Sequence, residues 1–183
     1  MACIDSIRDL ITPPDASMPT IAQSAFADLE HEISGTRRVL ERYPQGKGDF
    51  TPHPKSFTLG KLATHVASLP WLGSIALETS EFDVMKPRPA QPAPPTDGAG
   101  MTALLDGHWQ KFKAELGGAS DASLLETWTL RAGDNVIMAM PRAAVLRNLL
   151  VSHMIHHRAQ LTVYYRMLDV PVPGLYGPSA DEM

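Results

Sequence analysis

The chain has 183 residues, of which 44% are hydrophobic and 20% charged, with a formal net charge of −4. That length suits one domain, residues 1–183, with a sizeable core, and the acidic balance argues against a nucleic-acid partner, which would demand a basic face. One cysteine, Cys3, allows no internal disulfide and fits a reducing compartment; the first residues do not read as a signal peptide, and no run approaches the ~20 apolar residues of a membrane span, so a soluble cytoplasmic protein is expected.

Residues 1–18 form a weakly patterned N-terminal extension, where Ile4, Ile7, Leu10 and Ile11 allow one short amphipathic turn before Pro13-Pro14. A long helix is predicted from Thr20 to Arg42, carried by Phe26, Leu29, Ile33 and Leu40, with His31 off the stripe and exposed. Residues 45–55 are loop, and His53, between two prolines, reads as a surface histidine rather than one overhanging a pocket. Ser56 or Thr58 caps a second helix to Thr79, in which Leu62, Leu69, Leu72 and Ala76 share a face with His65; Pro70 should kink it a turn beyond.

Residues 86–95 hold five prolines and form an extended crossover connector within the domain. Thr96 or Asp97 starts a third helix that Gly117-Gly118 ends; Met101, Leu105, His108, Phe112 and Leu116 make its inward stripe, with His108 expected as a core or groove histidine. Two short runs, Trp128–Leu130 and Val136–Met140, flank Gly133-Asp134-Asn135 as a small hairpin. Pro141 opens a last helix to Leu168, and a Pro/Gly-rich coil completes the chain.

Three of the seven histidines, His153, His156 and His157, crowd into that last helix. With His153 at zero, Leu146, Leu149, Leu150, Tyr164 and Leu168 fall within ~60° of it, His157 at ~40° and His156 at ~−60°. Val151, Ile155 and Thr162 line the opposite side, so the helix is central in its bundle or buried in a dimer. Two inward imidazoles one turn apart need partners. A metal would satisfy them, as the His pair of H-E-x-x-H does, but that motif is absent: Met-Ile-His separates the pair here. Core histidines bonded to one another or to water answer the same pattern. Four long helices, one long crossover and a small β-hairpin before the last helix define an all-α four-helix bundle, in which His65 could face His153 and His157.

Two segments, Thr51–Pro70 and His153-Met-Ile-His-His-Arg-Ala-Gln160 running on from Leu168 to Glu182, resemble the DinB-like superfamily, named for DNA-damage-inducible bacterial proteins. The resemblance implies a four-helix bundle with a divalent metal on three histidines, one on the second helix and two on the last. By position these are His65, His153 and His157, with His156 the adjacent histidine that is usually not a ligand. Ala159 stands where many members have Gly, a mild change in a helix. Members are often homodimers, and some resemble thiol-dependent S-transferases and isomerases using bacillithiol, mycothiol or glutathione.

An all-histidine site without a suitable cysteine leaves an open position for water or substrate, and the ion could acidify a water or a thiol there. Imidazole ligands do not fix the metal, with zinc or nickel foremost. No general base stands out. Gln160 could hold a water, orient substrate, or serve only in packing. Arg158 points away from the histidine face and reads as a structural or interface charge; Asp181 and Glu182 belong to a frayed tail unless they reach a neighbour's site. The expected function is a metal-dependent S-transferase or hydrolase acting on a small molecule, the alternative a non-catalytic metal- or ligand-binding stress-response protein.

Overall fold

The computed structural model describes residues 18–88 and 92–183. Cys3, the turn predicted at Ile4–Ile11 and Pro89–Gln91 of the connector lie outside the described residues.

The first predicted helix is two. α1 (Ile21–Ala25) begins at Thr20, whose hydroxyl accepts from Gln23 N–H while the Gln23 side chain accepts from Thr20 N–H, a capping box. α2 (Leu29–Glu41) follows after a break at Phe26, where φ is −126°. The side chains of Phe26, Leu29 and Ile33 all stay buried across the break, so the apolar spacing reads through it.

α3 (Leu59–Glu78) is capped by the Thr58 hydroxyl, which accepts from Lys61 N–H, and it runs unbroken through Pro70. α4 (Gly98–Gly118) starts at Asp97, whose carboxylate accepts from Gly100 N–H. These two helices pack closely because Gly73 has no side chain: a Cβ there would meet the Phe112 ring at 2.8 Å. A short α5 (Asp121–Leu125) leads to the sheet.

The predicted hairpin is present as β2 (Thr127–Ala132) and β3 (Asn135–Pro141), antiparallel, with Trp128 opposite Met140 and Gly133 at φ +58° in the turn. It gains a third strand. β1 (Glu81–Asp83), immediately after α3, pairs parallel to β2 with Phe82 opposite Leu130. Three residues are too few for alternation to register in the sequence. The fold is therefore mostly helical with a small three-stranded sheet, ordered β1-β2-β3.

The last predicted helix is also composite: α6 (Arg142–Val145), a π-helical segment Leu146–Ser152, and α7 (His153–Met167). A π turn holds more than the 3.6 residues of an α turn, so an angular projection taken across it loses phase. The face of α7 turned to the core carries Met154, Arg158, Leu161 and Tyr165, all nearly inaccessible, while His153 and His157 flank it. Of the stripe expected around the two histidines, Leu146, Leu150 and Tyr164 are buried, and the correction is that the histidines border the buried face of α7 rather than centre it.

The C-terminal coil is tied down rather than frayed. Asp181 accepts from Val172 N–H and pairs with Arg166 at 2.6 Å, while Glu182 accepts from the N–H groups of Gly174 and Ser179. Both carboxylates are thus engaged within their own chain. Among the described residues no helix is long and apolar enough to cross a membrane.

Candidate metal centre

His65 stands on α3, and His153 opens α7 directly after the π-helical segment, a device that often marks functional sites. His157 follows one turn later. The three rings converge: centroids lie 5.0 Å apart for His65–His153, 4.8 Å for His65–His157 and 4.5 Å for His153–His157. One nitrogen from each lies within 4.8 Å of the others, so the three could hold a metal ion.

The spacing suits an ion. At a metal–nitrogen distance of ~2.0–2.1 Å and a tetrahedral angle, ligand nitrogens stand about 3.3 Å apart. His65 Nε2 and His153 Nε2 are 3.3 Å apart. Two of the donors, His65 and His153, are also held towards the neutral state that a cation needs. Burial, reinforced by His157, His153 and then Lys61, pushes the His65 pKa down to about 4. Burial and then His157 also lower His153, against a backbone hydrogen bond at Leu149. Both rings are neutral near pH 7, with lone pairs to offer.

Gln160 acts on the trio indirectly. Its Oε1 accepts from His157 Nδ1 at 2.7 Å, which places the proton on Nδ1 and leaves Nε2 as acceptor. Its amide donates to His156 Nε2 at 3.2 Å, and His156 itself is exposed. Phe57 stacks on His157 and meets His65 edge-on, closing one side of the cluster.

His65 and His153 also line a cavity of about 1020 Å³, with Trp71, Phe82, Leu130 and Leu149 on its apolar walls. His108 is half-buried in the same wall, a groove histidine, and burial lowers its pKa. His31 and His53 are exposed and outside the cluster. Arg158 is 2% exposed and turned away from the cavity, paired with Glu32 at 2.7 Å. Sequence reading missed Lys61, Trp71, Phe82 and Arg88 as cavity residues; the available signal was the place of Lys61 and Trp71 on the His65-bearing helix.

The molecule is thus a mostly helical chain with a small sheet, in which two helices bring together three histidines that could hold a metal ion, two of them on a cavity wall. The chain belongs to the DinB family, whose family model matches residues 18–183. It is 29% identical over 157 residues to the uncharacterized protein YrdA of Bacillus subtilis (strain 168), a match covering 84% of this chain and 86% of that one. A DinB-like protein from Bacillus cereus ATCC 10987 superposes with a TM-score of 0.63 at 20% identity, covering 83% of this chain and 95% of that chain. YjoA, a DinB-like protein from Bacillus subtilis, gives 0.58 at 16% identity, covering 82% and 94%. The two structural likenesses concern the fold.

Proposed function

We propose that this protein is a divalent-metal-dependent enzyme acting on a small molecule, with zinc or nickel held by His65, His153 and His157 and a low-molecular-weight thiol as co-substrate. The observation that carries the reading is the convergence of three half-buried imidazoles, one from α3 and two from α7, of which His65 and His153 also line a large cavity. The four long helical segments serve as a four-helix bundle that holds them. When bound, the metal would supply a Lewis acid that lowers the pKa of a thiol or water. The chain's residues do the remainder. Gln160 fixes the His157 proton on Nδ1, Phe57 covers one side of the cluster, and the cavity walls exclude water from a substrate's apolar part. Transfer of the thiol to an electrophile is the preferred reaction, hydrolysis the alternative within the same site.

A second reading, non-catalytic binding of a metal or small molecule in a stress response, is favoured by one observation: among the described residues no carboxylate joins the histidine cluster to act as a general base. The protein is proposed to work in the cytoplasm as a homodimer without nucleic-acid or membrane partners. Val163 and Met167, one turn apart on α7, are apolar and more than half exposed, as a self-association face would require.

The test is elemental analysis by mass spectrometry after dialysis without chelator, comparing the parent with His153→Ala. Near one equivalent of zinc or nickel, lost in the variant, is expected. A parent that takes up no metal even after reloading sinks the reading. Turnover in a screen of thiols against model electrophiles, abolished in His157→Ala, separates the enzyme from the binding protein.

A further inference from the structure

The cavity beside the histidines has two kinds of wall. Trp71 and Leu72 of α3, Phe82 of β1 and Leu130 of β2 are apolar and only half-buried, so they offer surface to a ligand. Lys61 and Arg88 line the same cavity. Among the described residues neither has a carboxylate within ion-pair distance, whereas Lys111, Arg131, Arg142, Arg147 and Arg166 each do. Asp49 is the acidic residue on the wall.

Arg88 is placed for recognition. Its guanidinium lies 5.4 Å from the Phe82 ring centroid, and Trp71 meets Phe82 edge-on at 6.0 Å. A guanidinium held over an aromatic ring keeps its N–H donors available to a planar anion. The two ends of the cavity are separated along α3, since Trp71 lies ~9 Å beyond His65 at the helical rise per residue. In a chain of net charge −4, unneutralised cations on an apolar cavity select for anionic ligands with an apolar body.

We infer that the cavity takes an organic anion with an aromatic or branched apolar body, its carboxylate or sulfonate on Arg88 and its body against Trp71 and Phe82. The opposite end of the molecule then lies towards His65 and His153. This names the substrate class for the function proposed above and rests on that reading only for what happens at the histidines; binding itself does not require the metal.

The experiment is a fluorescence titration of the chelator-treated full chain with 8-anilinonaphthalene-1-sulfonate, alongside its uncharged counterpart N-phenyl-1-naphthylamine. Saturable binding of the sulfonate near one equivalent is expected. Arg88→Met should weaken the sulfonate roughly tenfold and leave the neutral amine unchanged, as loss of a charge-assisted contact predicts. Arg88→Lys should recover part of the affinity, and Trp71→Ala should weaken both probes. The inference is overturned if Arg88→Met leaves the sulfonate unaffected or weakens both probes alike, or if Trp71→Ala changes neither. Circular dichroism of each variant guards against misfolding. Metal content of the parent, before chelator treatment, is measured separately: a metal-free parent with an Arg88-dependent sulfonate site removes the metal and keeps this inference, while a metal-loaded parent indifferent to Arg88 does the reverse.

Discussion

Gln160 decides which nitrogen His157 presents. Its carbonyl oxygen lies 2.7 Å from Nδ1, so Gln160→Ala frees the ring to rotate or to carry its proton on the metal-facing side. Partners of this kind contribute about 10–100-fold to metal affinity. Gln160→Ala should therefore weaken zinc binding about tenfold in a chelator competition, and Gln160→Glu, which keeps an acceptor, should restore it; equal affinity in all three chains would show that the contact does nothing. His65 gives a pH prediction. Its folded pKa of about 4 lies below the unfolded value of 6.5, so the unfolded chain binds more protons between these values. Apoprotein stability should be complete above pH 6.5 and decline as pH falls from there towards 4, by on the order of 1 kcal/mol once partial exposure is allowed for. Urea melts of the parent and His65→Phe check this, and a decline as steep in the variant would assign the slope elsewhere. At this scale type and spacing made the inward pair His153 and His157 legible, while the choice of His65 over His108 as the third member came from the family resemblance. The partners were not legible: nothing in the sequence says that Glu32 meets Arg158, or that Arg88 lies over Phe82.

The contact between α3 and α4 turns on one missing side chain. A Cβ at Gly73 would lie 2.8 Å from Phe112 and 3.0 Å from Leu150, both packed in the core, while a Cβ at Gly107 of α4 would meet nothing within 4 Å. Gly73→Ala should destabilise by about 1–3 kcal/mol through overpacking, and Gly107→Ala should stabilise by about 0.5–1 kcal/mol because Ala restricts the unfolded chain. Thermal melts of the two variants should move in opposite directions; the same sign in both would refute the packing argument. Two helix starts were narrowed to a choice of capping residues, Ser56 or Thr58 and Thr96 or Asp97, and the structure uses Thr58 and Asp97; the short α5, capped by Ser120, was not read. The interruptions were not legible. Phe26 leaves the helical region without Gly or Pro to announce it, and the π-helical segment Leu146–Ser152 is made of ordinary helix formers. β1 escaped because its pairing with β2 is settled 48 residues away in the chain, at Glu81 and Thr129, where local pattern has no reach.

At the scale of the molecule, one buried ion pair joins α2, α7 and the C-terminal coil. Arg158 bonds Glu32 at 2.7 Å and also donates to the Glu32 carbonyl and the Thr36 hydroxyl. The Tyr176 hydroxyl reaches over from the coil, donating to Glu32 and accepting from Arg158 at 2.6 Å, while the rest of that residue stays exposed. Arg158 sits one position from His157, so whatever holds this guanidinium also holds the turn of α7 that carries a histidine of the cluster. Removing one partner leaves an uncompensated charge inside the protein, which costs about 3–5 kcal/mol; replacing both with apolar groups is often near neutral. Glu32→Leu should therefore lower the melting temperature by roughly 10 °C in a chain of this size, and Glu32→Leu with Arg158→Met should recover most of the loss. Tyr176→Phe, which leaves the pair intact, should cost about 1 kcal/mol. If the pair serves only stability, the double variant keeps parental zinc affinity. If it also sets the pitch of α7, the double variant melts like the parent yet binds zinc more weakly, because the apolar pair fills the space without fixing the rotation of the helix. The second outcome is expected, since five hydrogen bonds converge on Arg158 and Tyr176 from α2 and none of them survives the substitution.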